Sequence, residues 1–376
     1  MNEEKPLLIH TEASLGWGGQ EIRILTECLW FREQGFRCIL MANSSSKIFE
    51  VFSRYGFETI DVAFTKKSQI GDFLLCLDRF RHLRPNMVGT HSNIDTRVAL
   101  AAAAAAGVPK RIRYRHVSIP VESSPWNRII YRKLATGVIT TACSISSALQ
   151  ADFNLRPNHI RTIPTGVDST ILGDRVEARD AIRRHLNIAP DSLIVSQISV
   201  LRAWKGHQYL FEAFDALAAE NPRLHLVLVG GGPGMDYLPQ QAHALASRDR
   251  IHFVGHVEDP YPFFKASDVV ALASFGGEGV PQSVLQCFAC KTPFVGTRVG
   301  GIPDIVKDGD NGLLVEPQNS KQLAEAILKI LANPLLADSL AERGLATFDE
   351  KGTIYRMGAS LMEFLQLDRD EPLHES

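Results

Sequence analysis

The side chains best suited to chemistry are one carboxylate in a glycine-rich turn and two cations that follow a different strand-like run. Glu278 lies in the segment 274–286, which joins a strand-like run to a helix-like run. Arg202 and Lys205 are three residues apart at the end of another strand-like run. In open α/β folds, ligands bind at the carboxyl ends of strands, where free helix N–H groups favour anions. We therefore predict an anion site in which both cations grip a diphosphate, with a solvated pair of charges as the alternative.

Two further glycine-rich turns could approach a phosphate, because glycine lacks a Cβ and lets backbone N–H groups come close. The turn 16–21, which includes Gly18 and Gly19, follows the first strand-like run and opens a helix. A plain tight turn is the alternative there. The turn 229–234, which includes Gly231, is similar to a dinucleotide fingerprint, but a proline and a glycine delay the helix that should follow. An NAD site is therefore the weaker interpretation.

Two histidines follow strand-like runs in the first half of the chain. His116 ends the run 111–116 beside Arg115, and His91 lies at the carboxyl end of another run. A single histidine is more often structural than functional, but its place after a strand favours a functional role for His116. We expect His91 to line the same cleft, with a structural role as the alternative.

Strand-like and helix-like runs alternate throughout the chain, which predicts an α/β fold with parallel sheets covered on both faces. The strand-like runs are 7–11, 37–42, 58–63, 87–91, 111–116, 137–142 and 160–163, followed by 193–200, 224–229, 251–254, 269–273, 293–297 and 313–315. A polar stretch separates the two sets, so we predict two doubly wound, Rossmann-like domains with a boundary near residues 166–168. An amphipathic run at 352–367 predicts a final helix.

In this order the motifs resemble those of family 4 retaining glycosyltransferases of the GT-B fold, and the resemblance covers nearly the whole chain. The first glycine turn is similar to the family's Gly-Gly-x-Glu, and residues 202–206 to its Arg-x-x-Lys-Gly. Residues 163–168 resemble its Ile-Pro-Asn-Gly-x-Asp hinge, with Thr165 in place of Asn. The turn around Glu278 resembles its Glu-x7-Glu signature, but Gln286 replaces the second acid. That acid normally binds both ribose hydroxyls, so the neutral amide bears on donor affinity and on the choice of nucleotide.

The resemblance implies a GT-B arrangement, in which two Rossmann-like domains face each other across a cleft and close for reaction. Residues 1–167 would bind the acceptor and residues 168–351 the nucleotide sugar. The helix at 352–367 would return to the first domain, and residues 368–376 would form a disordered tail.

The resemblance also implies the roles of particular residues. The catalytic residues would be Glu278, which faces the transferred sugar, His116, which lies over it, and the pair Arg202 and Lys205, which bind the leaving phosphate. The donor-binding residues would be Gly18, Gly19, Arg202, Lys205, Gly231, His256, Val257, Glu278, Gly279, Val280, Pro281 and Gln286. His91 and Arg115 would contribute to acceptor binding.

The implied activity is transfer of a sugar, with retention of configuration, from a UDP- or GDP-sugar to a glycan or lipid-linked acceptor. Assembly of lipopolysaccharide or another surface polysaccharide is the expected setting. A non-catalytic sugar-nucleotide binder and a GT-B nucleotide-sugar epimerase remain as alternatives. No His/Cys cluster has metal-ligand spacing, so we expect no metal and no cofactor, with cations and helix ends neutralising the phosphates.

Composition narrows the partners of the protein. Of the 376 residues, 45% are hydrophobic and 22% charged, which is typical of a globular protein with two domains. Residues 1–168 carry 21 Lys+Arg against 15 Asp+Glu, whereas the remainder carries 19 against 27. The basic first half is expected to meet an anionic membrane or a phosphorylated glycolipid, and no nucleic-acid motif is evident. Without a signal peptide or a spanning segment, we expect a cytoplasmic protein that is peripheral at the inner membrane face.

Overall fold

The computed structural model describes residues 5–168 and 175–367, and its contacts divide the chain into two compact units. The first unit comprises Met1–Gly166 together with Ile354–Ser376, and the second comprises Val167–Thr353. The tail expected at 368–376 lies outside the described residues. Within the described ranges, no helix is both long enough and apolar enough to cross a membrane.

The first unit is built on a parallel sheet of seven strands in the order β3-β2-β1-β4-β5-β6-β7. These strands are β1 (Leu7–Glu12), β2 (Arg37–Ala42), β3 (Glu58–Asp61), β4 (Met87–Thr90), β5 (Lys110–Arg115), β6 (Gly137–Thr140) and β7 (Ile160–Thr162). The central strands β1 and β2 are buried along almost their whole length, as expected for a parallel sheet covered on both faces. All seven predicted runs form strands, with ends that differ from the prediction by at most two residues.

Helices cover both faces of this sheet. They are α1 (Gly19–Glu33), α2 (Lys47–Arg54), α3 (Gln69–Leu83), α4 (Asn93–Ala105), α5 (Pro125–Ile129), α6 (Cys143–Phe153) and, from the end of the chain, α15 (Ile354–Leu365). Ala99, Ala102 and Ala103 of α4 are fully buried, because small side chains let that helix lie close to the strands.

The final helix packs on the first unit, as predicted. On α15, Leu361 is buried in the same core cluster as Ile24 and Trp30 of α1. The two helices approach closely at Gly358, where an added Cβ would lie 2.1 Å from the Trp30 ring. Gly358→Ala is therefore incompatible with this packing.

The second unit is built on a parallel sheet of six strands in the order β10-β9-β8-β11-β12-β13. These strands are β8 (Leu193–Ile198), β9 (Leu224–Val229), β10 (Ile251–Gly255), β11 (Val269–Leu272), β12 (Phe294–Thr297) and β13 (Leu313–Val315). The helices around it are α7 (Arg175–His185), α8 (His207–Glu220), α9 (Leu238–His243), α10 (Tyr261–Ala266), α11 (Gln282–Ala289), α12 (Ile302–Ile305), α13 (Ser320–Leu331) and α14 (Pro334–Lys351). All six runs predicted here also form strands.

Strand order in each sheet reverses at one point, between β1 and β4 in the first unit and between β8 and β11 in the second. At such a point the connections leave in opposite directions and open a crevice at the carboxyl ends of the two strands. Most of the candidate residues follow β1, β4, β8 and β11 or a strand next to one of these, whereas His256 follows the edge strand β10. Each unit therefore gathers most of its candidate residues at its own switch point.

Candidate functional site

In the second unit, the switch point brings the predicted carboxylate and one predicted cation into direct contact. Lys205 follows β8 and Glu278 follows β11, and these strands are hydrogen-bonded neighbours. Lys205 Nζ lies 2.6 Å from Glu278 Oε1, and the two side chains are only 13% and 7% exposed. An ion pair in this largely dry setting is far less screened than one at the surface.

Backbone geometry around Glu278 requires glycine on both sides. Ser274 Oγ donates a 2.6 Å hydrogen bond to Glu278 Oε1, which fixes the carboxylate from within its own turn. Gly277 has φ of +73°, and Gly300, in the loop after β12, has φ of +57°. A Cβ on Gly300 would lie 2.3 Å from the Glu278 carbonyl oxygen. The turn can therefore hold its carboxylate only if these two positions lack side chains.

The loop that carries the cations is equally constrained. Residues Ala203–Lys205 form one 3-10 turn, and Gly206 follows with φ of +69°. A Cβ on Gly206 would lie 1.9 Å from the Ala273 carbonyl oxygen, so α8 begins directly against the end of β11. Glycine at position 206 therefore allows the loop after β8 to lie close to the loop after β11.

Gln197 links the same two loops and was not predicted from the sequence. It is fully buried on β8; its Nε2 donates to the Lys205 carbonyl at 3.1 Å, and its Oε1 accepts from the Ala273 N–H at 3.3 Å. Gln197 Nε2 also lies 3.0 Å from His207 Nε2. Burial lowers the pKa of His207 to about 4, so at neutral pH this ring can accept the bond. The polar pair Ser196 and Gln197 within an apolar strand was the signal available in the sequence.

Arg202 differs from Lys205 in being exposed. Its guanidinium carbon lies 5.1 Å from the centre of the Trp204 ring, which is within the range of a cation–π contact. The Trp204 ring also packs against the turn that carries Glu278, since a Cβ on Gly277 would lie 3.1 Å from the indole nitrogen. Arg202 is therefore oriented by an aromatic surface, with its charge available to a ligand.

Gln286 lies on α11 and is half-buried. Its side chain is hydrogen-bonded to that of Tyr261, and the Tyr261 hydroxyl donates to the Asp168 carbonyl at 3.3 Å. Burial raises the pKa of Tyr261. The amide that replaces the family's second acid thus has a defined partner within the second unit. Of the predicted residues ahead of it, Gly279, Val280 and Pro281 are buried at the amino end of α11.

The turn after β9 lies between the loops of its two neighbours. Gly231 accepts a 2.8 Å hydrogen bond from the Leu201 N–H, and a Cβ on Gly231 would lie 3.3 Å from the His256 Cβ. His256 is exposed and Val257 half-buried. The structure therefore brings Gly231 and His256 together, next to the segment that leads into Arg202.

In the first unit, the glycine turn after β1 is organised by a carboxylate that sequence reasoning missed. Glu12, at the buried end of β1, accepts hydrogen bonds from the Ser14 N–H at 2.7 Å and from Gln20 Nε2 at 2.5 Å. Burial, with the nearby carboxylate of Asp95, raises the pKa of Glu12 to about 7. Burial also raises the pKa of Asp95 to about 6. An acid at the end of a strand that begins with three apolar residues was the signal available in the sequence.

Gly18 and Gly19 lie where the sequence placed them, at the start of α1. Gly18 is the residue before the first helical turn, its φ of −167° is extended, and no side chain caps the helix.

The histidines are placed differently from each other. His116 follows β5 and is partly exposed, whereas His91, which follows β4, is only 3% exposed and lies behind it. His91 Nδ1 and His116 Nε2 are 2.9 Å apart. Burial lowers the pKa of both rings well below the usual value. Arg115 is partly buried, and its Nη2 donates to the Ile119 carbonyl at 2.5 Å.

No group of three or more His, Cys, Asp or Glu side chains in the described ranges is arranged to hold a metal ion. The charged side chains described above at the switch point of the second unit are Arg202, Lys205 and Glu278.

Both units match models of glycosyltransferase families. Residues 17–170 match the family model Glycosyltransferase Family 4, and residues 178–346 match the model Glycosyl transferases group 1. Among curated relatives, the chain is 35% identical over 201 residues to D-inositol 3-phosphate glycosyltransferase of Actinosynnema mirum, covering 49% of this chain and 46% of that protein. It is 35% identical over 173 residues to the lipopolysaccharide core biosynthesis glycosyltransferase LpsE of Rhizobium meliloti, covering 46% and 49%. The chain thus spans about half the length of these two relatives.

Among solved structures, Anabaena Alr3699/HepE in complex with UDP-glucose superposes with a TM-score of 0.82. The match covers 96% of this chain and 99% of that chain at 19% identity. Similarity at that level of identity shows the fold, and the prediction of a GT-B fold with two Rossmann-like units is confirmed.

Proposed function

Since this chain belongs to the family 4 glycosyltransferases of the GT-B fold, we propose that it transfers a sugar from a nucleotide diphosphate donor, UDP- or GDP-linked, to a glycan or lipid-linked acceptor. The observation that carries the proposal is the contact between Lys205 and Glu278 at the switch point of the second unit, with Arg202 on the same loop. That edge combines a carboxylate suited to sugar hydroxyls with cations suited to a diphosphate. Alr3699/HepE, which shares the fold, was solved with UDP-glucose.

In the proposed reaction the second unit binds the donor and the first unit supplies the acceptor-binding residues. The bond from the anomeric carbon to the phosphate oxygen breaks, and the acceptor oxygen attacks from the same face. Because the new bond forms on the same face, configuration is retained, and the departing phosphate oxygen takes the acceptor proton. Arg202 and Lys205 stabilise the negative charge that grows on this oxygen, a task for which no metal is proposed.

The Lys205–Glu278 ion pair bears on how a donor would bind. Lys205 is paired with Glu278 in the structure. We propose that a bound diphosphate draws the ammonium away, which frees the carboxylate to accept hydrogen bonds from the sugar. An exchange of ion-pair partners between two buried anions limits the desolvation cost of binding.

Donor hydrolysis tests the proposal. Purified protein is offered a panel of UDP- and GDP-sugars with and without a chelator, and released nucleotide diphosphate is measured. We expect turnover of at least one donor, unchanged by the chelator and reduced on the order of 10²-fold in Glu278→Gln. Binding without turnover of any donor would favour a non-catalytic sugar-nucleotide binder, which the neutral Gln286 keeps as the second candidate. Conversion of the donor to an epimer would favour an epimerase, and loss of activity in the chelator would contradict the cation clamp.

We also propose that the acceptor lies at an anionic membrane surface, met by basic residues of the first unit. Of the basic positions in residues 109–133, Lys110 and Arg111 donate to backbone carbonyls of their own unit, which removes them from this role. Arg132 and Lys133 are exposed, and Trp126 and Ile129 nearby in the chain are 42% and 38% exposed. Exposed apolar side chains beside cations suit a lipid headgroup region.

Vesicle flotation checks this surface. Arg132→Ala with Lys133→Ala should weaken binding to anionic phospholipid vesicles by about 2 kcal/mol, or roughly 30-fold, and the loss should shrink at high salt. The matched control, Lys66→Ala with Lys67→Ala, removes the same charge from exposed positions elsewhere in the unit. Equal losses in both variants would indicate a general charge effect without a defined surface.

A further inference from the structure

Three histidine rings form a hydrogen-bonded row in the first unit. His10 lies on β1, His91 follows β4 and His116 follows β5, and these three strands are neighbours in the sheet. His10 Nδ1 lies 2.9 Å from His91 Nε2, and His91 Nδ1 lies 2.9 Å from His116 Nε2. His10 is fully buried and His91 nearly so. We call these three side chains the histidine row.

The rings of the row are neutral at physiological pH. Burial lowers the pKa of all three histidines, most strongly for His91 and His116. Tyr114 supports this arrangement by stacking on His91, with ring centres 4.4 Å apart and planes at 20°. A neutral imidazole has one N–H donor and one bare nitrogen acceptor.

Counting the ring N–H groups leaves only two possible arrangements of the protons in the histidine row. His91 makes a hydrogen bond through each of its nitrogens, so it must donate one and accept the other. All N–H bonds in the row therefore run the same way. In one order His10 donates to His91, which donates to His116. In the other, His116 Nε2–H donates to His91, and His91 Nε2–H donates to His10.

Glu27 selects the second order. His10 Nε2 lies 3.9 Å from Glu27 Oε1, and it has no hydrogen-bond partner. Glu27 is held in place by a 3.0 Å bond from Arg23 Nε, and both side chains are fully buried. A carboxylate attracts an N–H and repels the lone pair of a bare nitrogen, so His10 carries its proton on Nε2. The remaining protons then follow, and His116 carries its own on Nε2.

We propose that Glu27, His10 and His91 are positioning residues that fix His116 as its Nε2–H tautomer, so that its Nδ1 is a bare acceptor for a substrate hydroxyl. No other hydrogen bond to the His116 ring occurs within the described ranges, so Nδ1 is available. The row makes His116 selective for a group that donates, such as a sugar hydroxyl, over a phosphate or carbonyl oxygen. This inference rests on the proposed function for the identity of the substrate, while the tautomer itself is independent of it.

The tautomer is measured on the full chain with ¹⁵N-labelled histidine, by long-range ¹H–¹⁵N correlation spectra at neutral pH. His116→Gln identifies the His116 signals. We expect His10, His91 and His116 all to be Nε2–H tautomers. A His116 ring protonated on Nδ1 would overturn the proposal without the need for any further variant.

Two substitutions of His10 separate positioning from packing. His10→Phe fills the space but cannot accept from His91, so the Nδ1–H form of His116 should become detectable. We expect kcat to fall about 10-fold with the Kd of the nucleotide diphosphate changed less than twofold. His10→Asn can accept the same bond through its side-chain oxygen, so it should restore both the tautomer and kcat. Equal loss in both variants, with the His116 tautomer unchanged, would contradict the proposal.

His225 and His252 provide a matched control. They form a 3.0 Å ring-to-ring hydrogen bond at the amino ends of β9 and β10 in the second unit. His225→Phe breaks a bond of the same kind and should leave the His116 signals and kcat unchanged. The expected spectra without turnover of any nucleotide sugar would refute the proposed function and leave the tautomer assignment standing.

Discussion

Separating Lys205 from Glu278 should destabilise the second unit by far more than breaking a surface pair of the same length. The two side chains are in contact at 2.6 Å and are 13% and 7% exposed. Removing one partner leaves the other charge in a mostly dry environment, with Ser274 Oγ as the remaining partner of the carboxylate. Glu278→Gln and Lys205→Met are the two single changes.

The expected magnitude follows from the distance and the burial. With an effective dielectric constant of about 20, two unit charges 2.6 Å apart attract by about 6 kcal/mol. Desolvation of both groups offsets a large part of this attraction. We therefore expect a loss of about 3 kcal/mol for each single variant and a coupling of about 2–3 kcal/mol in the double-mutant cycle.

Arg298 and Asp308 provide the control, because their side chains are also 2.6 Å apart but are 42% and 43% exposed. Solvent screening should hold their coupling below about 1 kcal/mol. Since a chain with two units need not unfold in one step, the free energy is measured locally. Hydrogen exchange of peptides that cover β8, β11 and residues 274–286 reports opening of this region alone.

Equal couplings for the two pairs would refute the reasoning, since burial is the difference on which the prediction depends. A strong coupling seen only in peptides far from β8 and β11 would also contradict it. Reversal of the pair in one chain, Lys205→Glu with Glu278→Lys, should recover part of the stability and none of the donor turnover.

Three further predictions concern the donor loops and the buried acids. Arg202→Ala should lower both kcat and affinity for the nucleotide diphosphate, measured by turnover and calorimetry, with less than about 0.5 kcal/mol lost in stability because the side chain is exposed. Gln286→Ala should raise the donor KM more than it lowers kcat. Gln286→Glu should bind the donor equally or more tightly, since a charged acceptor forms the stronger hydrogen bond. A donor complex with the ribose more than about 6 Å from the Gln286 side chain would contradict the assignment of this residue to donor binding. The pKa values of Glu12, raised to about 7, and of Asp95, raised to about 6, mean that the folded protein holds more protons than the unfolded chain between about pH 4 and pH 7. Their contribution to the free energy of unfolding is therefore fully present below the pKa values that the two carboxyl groups have in the unfolded chain, and it is lost as the pH rises to about 7. The Tm of the wild type minus the Tm of the double variant Glu12→Gln, Asp95→Asn should thus decrease as the pH rises from 5 to 8. A difference in Tm that stays constant over this range would contradict the raised pKa values.

Much of the fold could be predicted because local pattern and parallel pairing agree in this chain. The central strands are short apolar runs bounded by polar or glycine-rich turns, a pattern that a buried parallel strand shares with few alternatives. The amphipathic run that became α15 was equally readable, since Met357, Leu361 and Leu365 recur at helical spacing. The expected return of α15 to the first unit came from the resemblance.

The motifs were also readable from sequence, because glycine and charge carry their physical reason locally. Gly206 has a positive φ, and no larger residue fits against the Ala273 carbonyl. Lys205 and Glu278 were identified by their place after strands. The sequence pattern therefore predicted the α/β fold class, and the resemblance supplied the GT-B arrangement and the expected roles of the candidate residues.

Which residues meet was decided only by the tertiary structure. Strand order is set by packing of whole helices on whole sheets, so nothing local in the chain states that β8 pairs with β11 or β1 with β4. That order joins Lys205 to Glu278 across more than 70 residues and aligns His10 with His91 and His116. A buried polar side chain such as Gln197 looks unremarkable until its partners are known, because its role lies in hydrogen bonds to distant loops. The sequence thus determined which groups are present, and the strand order of each sheet determined which of them act together.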